Sequence, residues 1–347
     1  MILHKAPKEQ KSFLTDKPTL ANTLFFVLAR QAIYNYLLKC KEEFVLVPRY
    51  LAGGVCFPII KSGKKRIYYD LNDKLEIESS SLQLNQYSKE NLIIYYIHHY
   101  GLFIKSNIDY LQKLSKQGYH IIDDRSLSLP SKNYVEFADA TVYSLYKLTG
   151  VPYGAFINSR DNLYIDDSIN KNCIYDIEMI MERNLKFYGA FFIKYLSGFW
   201  FRLINKLYGN SVNFNPIVEN SWHANNFIAK LQVLKYLDFE KINSKRIKLA
   251  QIYLENLTKD CIFAFDTLSY LNQSLIGFPI FTNTPELLHK HLIKNGVHTF
   301  ILKRSWWFDT EEKQWEIVNN HILLPIHHYL EEKDILKVCE IINKRIK

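Results

Sequence analysis

The chain has 347 residues, 48% of them hydrophobic, with a formal net charge of +9 and five cysteines. That length and apolar fraction allow one large domain with a smaller companion, and they exclude a disordered or fibrous chain. The basic residues are dispersed and no recognition motif accompanies them, so nucleic-acid binding is not expected; solvated lysine faces, or attraction of an anionic ligand, account for the charge.

The cysteines (Cys40, Cys56, Cys173, Cys261 and Cys339) form no CxxC pair, and no histidine stands at metal-ligand spacing from them. This suits a reducing cytoplasm, with neither a disulfide framework nor a bound metal expected. The first residues, Met1 to Lys8, lack the apolar core of a signal peptide.

From about residue 44 to 157, short apolar runs alternate with helical patterns. Strands are predicted at Phe44 to Val47, Arg66 to Tyr69, Leu92 to Ile97, from His120, at Ala140 to Tyr143 and at Gly154 to Ile157. Most are uniformly apolar, as in strands of a largely parallel sheet covered on both faces. Between them Ile108, Leu111 and Leu114 share one helical face, and Gly118 follows as a stop. The alternation predicts an α/β, doubly wound architecture. Helical patterns run from about 171 to 209 and, after a polar linker near 210–216, on to about 258. The end mixes Gly277 to Phe281 (strand), Pro285 to Asn295 (helix), a strand near Ile322 and a terminal helix from Glu332. Phe187 to Phe201 is strongly aromatic but interrupted by Lys194. Being shorter than the roughly 20 apolar residues of a membrane span, it is expected to be a buried or dimer-facing helix, with membrane contact at most peripheral.

Two neighbouring strand ends carry the chemistry. The run from Tyr119 ends on Asp123 and Asp124, and the run from Ala140 ends on Ser144, with Lys147 just beyond. A lysine that can form a Schiff base, and an acid that can pair with a pyridinium nitrogen, are what pyridoxal phosphate chemistry needs.

Taken in order, these segments resemble the DegT/StrS-type nucleotide-sugar aminotransferases, in a divergent form. The helix from Ala29 to Leu37, the run Val45 to Leu51, and Ile97 to Gly101 (similar to "VHYFG") carry the likeness. So do His120 to Ser126 (similar to "VIEDCAHS"), Ala140 to Gly154, and the late segments Gly296 to His298, Trp306-Trp307 and His321 to His327. The likeness spans roughly 22–345. It implies fold type I of the pyridoxal 5'-phosphate-dependent transferases: an N-terminal extension at 1–21, a large α/β domain at 22–235 and a small C-terminal α/β domain at 236–347.

Carried over by position, the resemblance makes Lys147 the cofactor-bearing lysine and Asp124 the pyridinium-binding acid, with Asp123 structural. Ser144, together with the backbone of Arg30 and Gln31, is implied as the phosphate site. Tyr50 and His98 are candidate substrate contacts; an aromatic after proline and a histidine at a strand end are also common core residues. Three positions depart from the family pattern. Leu127 replaces a His or Gln, Trp222 replaces an Arg, and Gly53-Gly54 is expected to loosen a loop beside the cofactor. The implied function is amino transfer from glutamate to a nucleotide-linked keto sugar for surface polysaccharide or related glycan synthesis, by a cytoplasmic homodimer. The alternative is a non-catalytic member with a scaffold or regulatory role. Dehydration, which the family also reaches, uses His in place of the lysine, whereas Lys147 is present.

Overall fold

The computed structural model describes residues 22–131, 136–151, 153–160, 230, 233, 239–258, 265–301 and 320–346. In chain order the first half gives β1 (Thr23–Phe26), α1 (Ala29–Lys39), β2 (Phe44–Pro48), α2 (Gly53–Lys61), β3 (Lys65–Tyr69) and β4 (Leu92–Ile97). Then come α3 (Lys105–Lys116), β5 (His120–Asp124), β6 (Ala140–Ser144) and β7 (Ala155–Ser159). The C-terminal part gives α4 (Phe239–Asn256), α5 (Thr267–Leu271), β8 (Phe278–Phe281), α6 (Pro285–Lys294), β9 (His321–Leu324) and α7 (Glu332–Ile346).

Seven strands form one sheet in the order β1-β7-β6-β5-β4-β2-β3. The pairings among β3, β2, β4, β5 and β6 are parallel, and β7 runs antiparallel to both β6 and β1. Every residue of β4 and β6 is buried, which explains why these strands read as unbroken apolar runs. Residues of even number in β5 and β6 (Ile122, Ala140, Val142) pack with Ala32 and Ile33 of α1 and with Val55 and Ile59 of α2. On the opposite face, Ile121, Ile94 and Tyr96 join one large core with α3, Leu249 and Tyr253 of α4, β8, β9 and α7. Full burial of each aliphatic side chain contributes about 1.5–3 kcal/mol, so both faces of the sheet are strongly committed.

The strands read from the sequence are present within a residue or two, but two features differ from expectation. Strand β1 was not anticipated, because four residues entering directly into a helix carry no alternation of their own. Gly53-Gly54, expected as a loosened loop, instead opens helix α2. Residues Phe187 to Phe201, Trp222, the Trp306-Trp307 pair and the domain boundary at 235/236 lie outside the described residues.

Candidate functional site

Strands β5 and β6 are parallel neighbours, with Asp124 registered on Val142. Both therefore deliver their last residues to the same carboxyl-terminal edge, where open α/β sheets bind ligands. Asp124 is the last residue of β5, Ser144 the last of β6, and Lys147 ends the single 3-10 turn that follows it. Side chains alternate across a sheet, so Asp124 and Ser144 continue the face of Ile122 and Val142, which α1 covers.

Asp124 is buried, and its carboxylate accepts twice. Tyr95 Oη donates to Oδ2 at 2.8 Å, and the Ser126 N–H donates to Oδ1 at 2.8 Å. Burial, followed by the Asp124 charge, holds the Tyr95 phenol well above its usual range. Tyr95 thus stays a donor and Asp124 the acceptor. Each carboxylate oxygen has two lone pairs, so room for a further donor remains.

Ser144 is fully buried, yet its hydroxyl has no hydrogen-bond partner among the described residues. A buried hydroxyl left unbonded costs about 1–3 kcal/mol, so this orphan points to something that is meant to reach it. Helix α1 starts on the same face. Its N-cap is Leu28, which offers no capping side chain, and the side chain of Gln31 accepts from the Leu28 N–H at 2.9 Å instead. The Gln31 N–H donates to the Leu28 carbonyl at 3.0 Å. The first turn of α1, beginning at Ala29, brings the positive end of the helix dipole to this face. Lys147 is half-buried and makes no hydrogen bond or ion pair with any described residue.

Asp123 points to the opposite face. It is fully buried, with Oδ1 at 3.0 Å from His98 Nε2. His98 Nδ1 lies 3.1 Å from the Leu102 carbonyl and 3.2 Å from Gln273 Nε2. Gln273 in turn binds the Gly101 carbonyl at 2.6 Å and accepts from Arg125. Tyr50 is buried too, its hydroxyl 3.0 Å from that of Tyr100 and its ring stacked on His99 at 4.8 Å. Burial pushes the His99 imidazole down to about 4, so it stays neutral in this stack. His98 and Tyr50, the candidate substrate contacts, are thus both interior groups with inward-facing polar atoms. Leu127 contributes through its backbone, since a Cβ added at Gly101 would stand 2.4 Å from the Leu127 carbonyl oxygen.

Sequence reasoning missed Arg125 and Gln273, which lie 148 residues apart and meet in the interior. It also missed a cluster at the other end of the sheet, where Cys40, Glu42 and His120 bring ligand-type atoms within 4.8 Å of one another. These groups already serve each other. His120 bonds Glu42 at 2.7 Å through Nδ1 and the Tyr36 hydroxyl at 2.8 Å through Nε2, and Cys40 Sγ donates to the Tyr36 carbonyl at 3.3 Å.

No family model matches the sequence, and neither does any curated protein. Solved structures do match its fold. A sugar aminotransferase from Micromonospora echinospora superposes with a TM-score of 0.62 at 13% identity, over 93% of this chain and 87% of that one. A Streptococcus pneumoniae protein assigned as a sugar aminotransferase, solved in its PMP form, gives 0.62 at 16% identity, over 94% and 87%. A DegT DnrJ EryC1 StrS aminotransferase from Brucella abortus gives 0.61 at 15%, over 93% and 85%. This chain therefore has the α/β fold of those aminotransferases across nearly its whole length.

Proposed function

We propose that the protein is a pyridoxal 5'-phosphate-dependent aminotransferase acting on a keto sugar, with glutamate as amino donor and the sugar carried on a nucleotide. The observation that carries the reading is the orphaned Ser144 hydroxyl, buried on the sheet face that also holds Asp124, at a strand end three residues from Lys147. A phosphate group would satisfy that hydroxyl and would lie at the start of α1, where a helix dipole favours an anion. The fold shared with sugar aminotransferases supports the same reading and the choice of a sugar acceptor.

Pyridoxal phosphate, when bound, supplies an electron sink that lets a proton leave the carbon bearing the amino group. Everything else falls to the chain. Lys147 would tether the cofactor covalently and then, released, move a proton with its free amine. Asp124 would hold the proton of the ring nitrogen, because a buried carboxylate fixed by Tyr95 and Ser126 needs no reorganisation to do so. Ser144 and the start of α1 would anchor the phosphate. The interior pair His98–Asp123 stiffens the ends of β4 and β5 from behind. In this reading the protein works as a homodimer and supplies an amino sugar for surface polysaccharide or a related glycan.

Incubation with pyridoxal phosphate, borohydride reduction and peptide mapping test the reading. The pyridoxyl label is expected on Lys147, and 2-oxoglutarate is expected from glutamate before reduction. A label elsewhere, or none, would refute it. A label on Lys147 with no transfer from any amino donor would favour the scaffold role, which the departures at Leu127 and Trp222 otherwise support.

A further inference from the structure

Arg246 is among the largest fully buried side chains of the protein, at 1% exposure, yet no carboxylate pairs with it among the described residues. Its guanidinium is engaged by backbone carbonyls instead. Nη1 donates to Leu148 at 3.2 Å, Nε to Leu275 at 3.1 Å, and Nη2 to Ile276 at 3.0 Å and also to Leu275. Leu148 directly follows Lys147. One side chain on α4 thus fastens the residue after the lysine to the segment before β8.

Other groups bear on the same turn. The N–H groups of Leu148 and Thr149 both donate to the Leu145 carbonyl at 2.9 Å, and the Thr149 hydroxyl joins them there at 2.9 Å. The Tyr329 hydroxyl donates to the Thr149 carbonyl at 3.4 Å. Gly150, with φ of +74°, lies so close under the Tyr329 ring that a Cβ would approach it to 3.2 Å. His328 also bonds the backbone at Leu148; burial, and then the Arg246 charge, push its imidazole down to about 3, so it adds no second cation. The segment at the other end of the clasp is itself fixed, because Gln273 binds the Gly101 carbonyl and Ser274 accepts from the Leu129 N–H at 2.9 Å.

Stability alone gives little reason for this arrangement. A cation buried without a counter-ion is unfavourable, and burial pulls the Arg246 guanidinium down to about 9. A planar fork of five donors can, however, hold carbonyls of two separate segments at once in a fixed geometry. We propose that Arg246 is a positioning residue for Lys147, pinning the Leu148 carbonyl so that the turn bearing the amine keeps a single conformation. The proposal rests on the reading of Lys147 as the cofactor-bearing lysine.

The test uses Arg246→Met and Arg246→Lys in the full chain, read by amide hydrogen exchange before any cofactor is added. With Met, exchange at 145–151 should quicken by about tenfold or more while β4 stays protected; Lys, keeping a donor, should fall between. After pyridoxal phosphate and borohydride, the variants should carry less of their label on Lys147 and more on other lysines, in the same order. Unchanged exchange and labelling in Arg246→Met overturn the proposal. So does exchange that rises equally through turn and sheet in both variants, which would mark a purely structural arginine. A wild-type chain that takes no label on Lys147 overturns the cofactor reading instead, while exchange at 145–151 still decides the clasp.

Discussion

At the scale of single residues, the two adjacent aspartates at the end of β5 show how much one step along a strand matters. They point to opposite faces, Asp124 toward α1 with Tyr95, Asp123 toward His98. Asp124→Asn should leave the fold intact and lower turnover by about 10²–10³-fold, since a neutral amide cannot retain a pyridinium proton. Asp123→Asn should behave in the opposite way. It weakens the fully buried contact between Asp123 and His98, where a buried polar group left without its partner costs about 1–3 kcal/mol, and should depress the denaturation midpoint more than the rate. Steady-state kinetics and urea melts of the two variants separate these outcomes; equal effects in both assays would mean that the face assignment is wrong. The resemblance already gave the two carboxylates different roles, and the pleat gives each its own partner, 25 and 29 residues away.

At the scale of elements, the turn from β4 into α3 depends on its backbone more than on its side chains. Tyr100 sits at φ +59° and Gly101 at φ +84°. A Cβ on Gly101 would meet three backbone atoms, at 2.4 Å (Leu127 O), 3.0 Å (Ser274 O) and 3.1 Å (Leu275 Cα), none of which can rotate away. Gly101→Ala should therefore destabilise the protein by about 3 kcal/mol. Gly54 offers the contrast: it lies inside α2 with nothing within 4 Å of an added Cβ. Gly54→Ala should be neutral or stabilising by about 0.5 kcal/mol. Thermal melts of the two variants check both, and similar losses would deny the close approach at Gly101. The glycine after the histidine is visible in the sequence, but its necessity is not, because Leu127, Ser274 and Leu275 reach it through tertiary packing.

At the scale of the whole molecule, the expected assembly is a homodimer. The aromatic run Phe187 to Phe201, interrupted by Lys194, is shorter than the roughly 20 apolar residues of a membrane span, and in the reading proposed above it serves an interface between copies of the chain. Light scattering at micromolar concentration should give about twice the 41.1 kDa chain mass, and Phe191→Asp or Phe199→Asp should weaken both association and cofactor retention. A stable monomer that keeps its cofactor would reassign that run to a membrane surface or another partner. The sequence alone determined most of the strands and helices and their order, β1 and α2 excepted, because buried parallel strands must be continuously apolar and their helices periodic, and this patterning is local. It also pointed to Asp124 and Lys147 as a candidate pair, since they lie at consecutive strand ends only about twenty residues apart. Tertiary structure alone decided that Tyr50 and His98 are interior and that the Gln31 amide is already engaged. It also decided that Gly53-Gly54 is helical and that Arg246 reaches Leu148 from 98 residues away. Each of these depends on which distant segment fills the space beside a side chain, and that is settled by the packing of the whole chain rather than by any stretch of it.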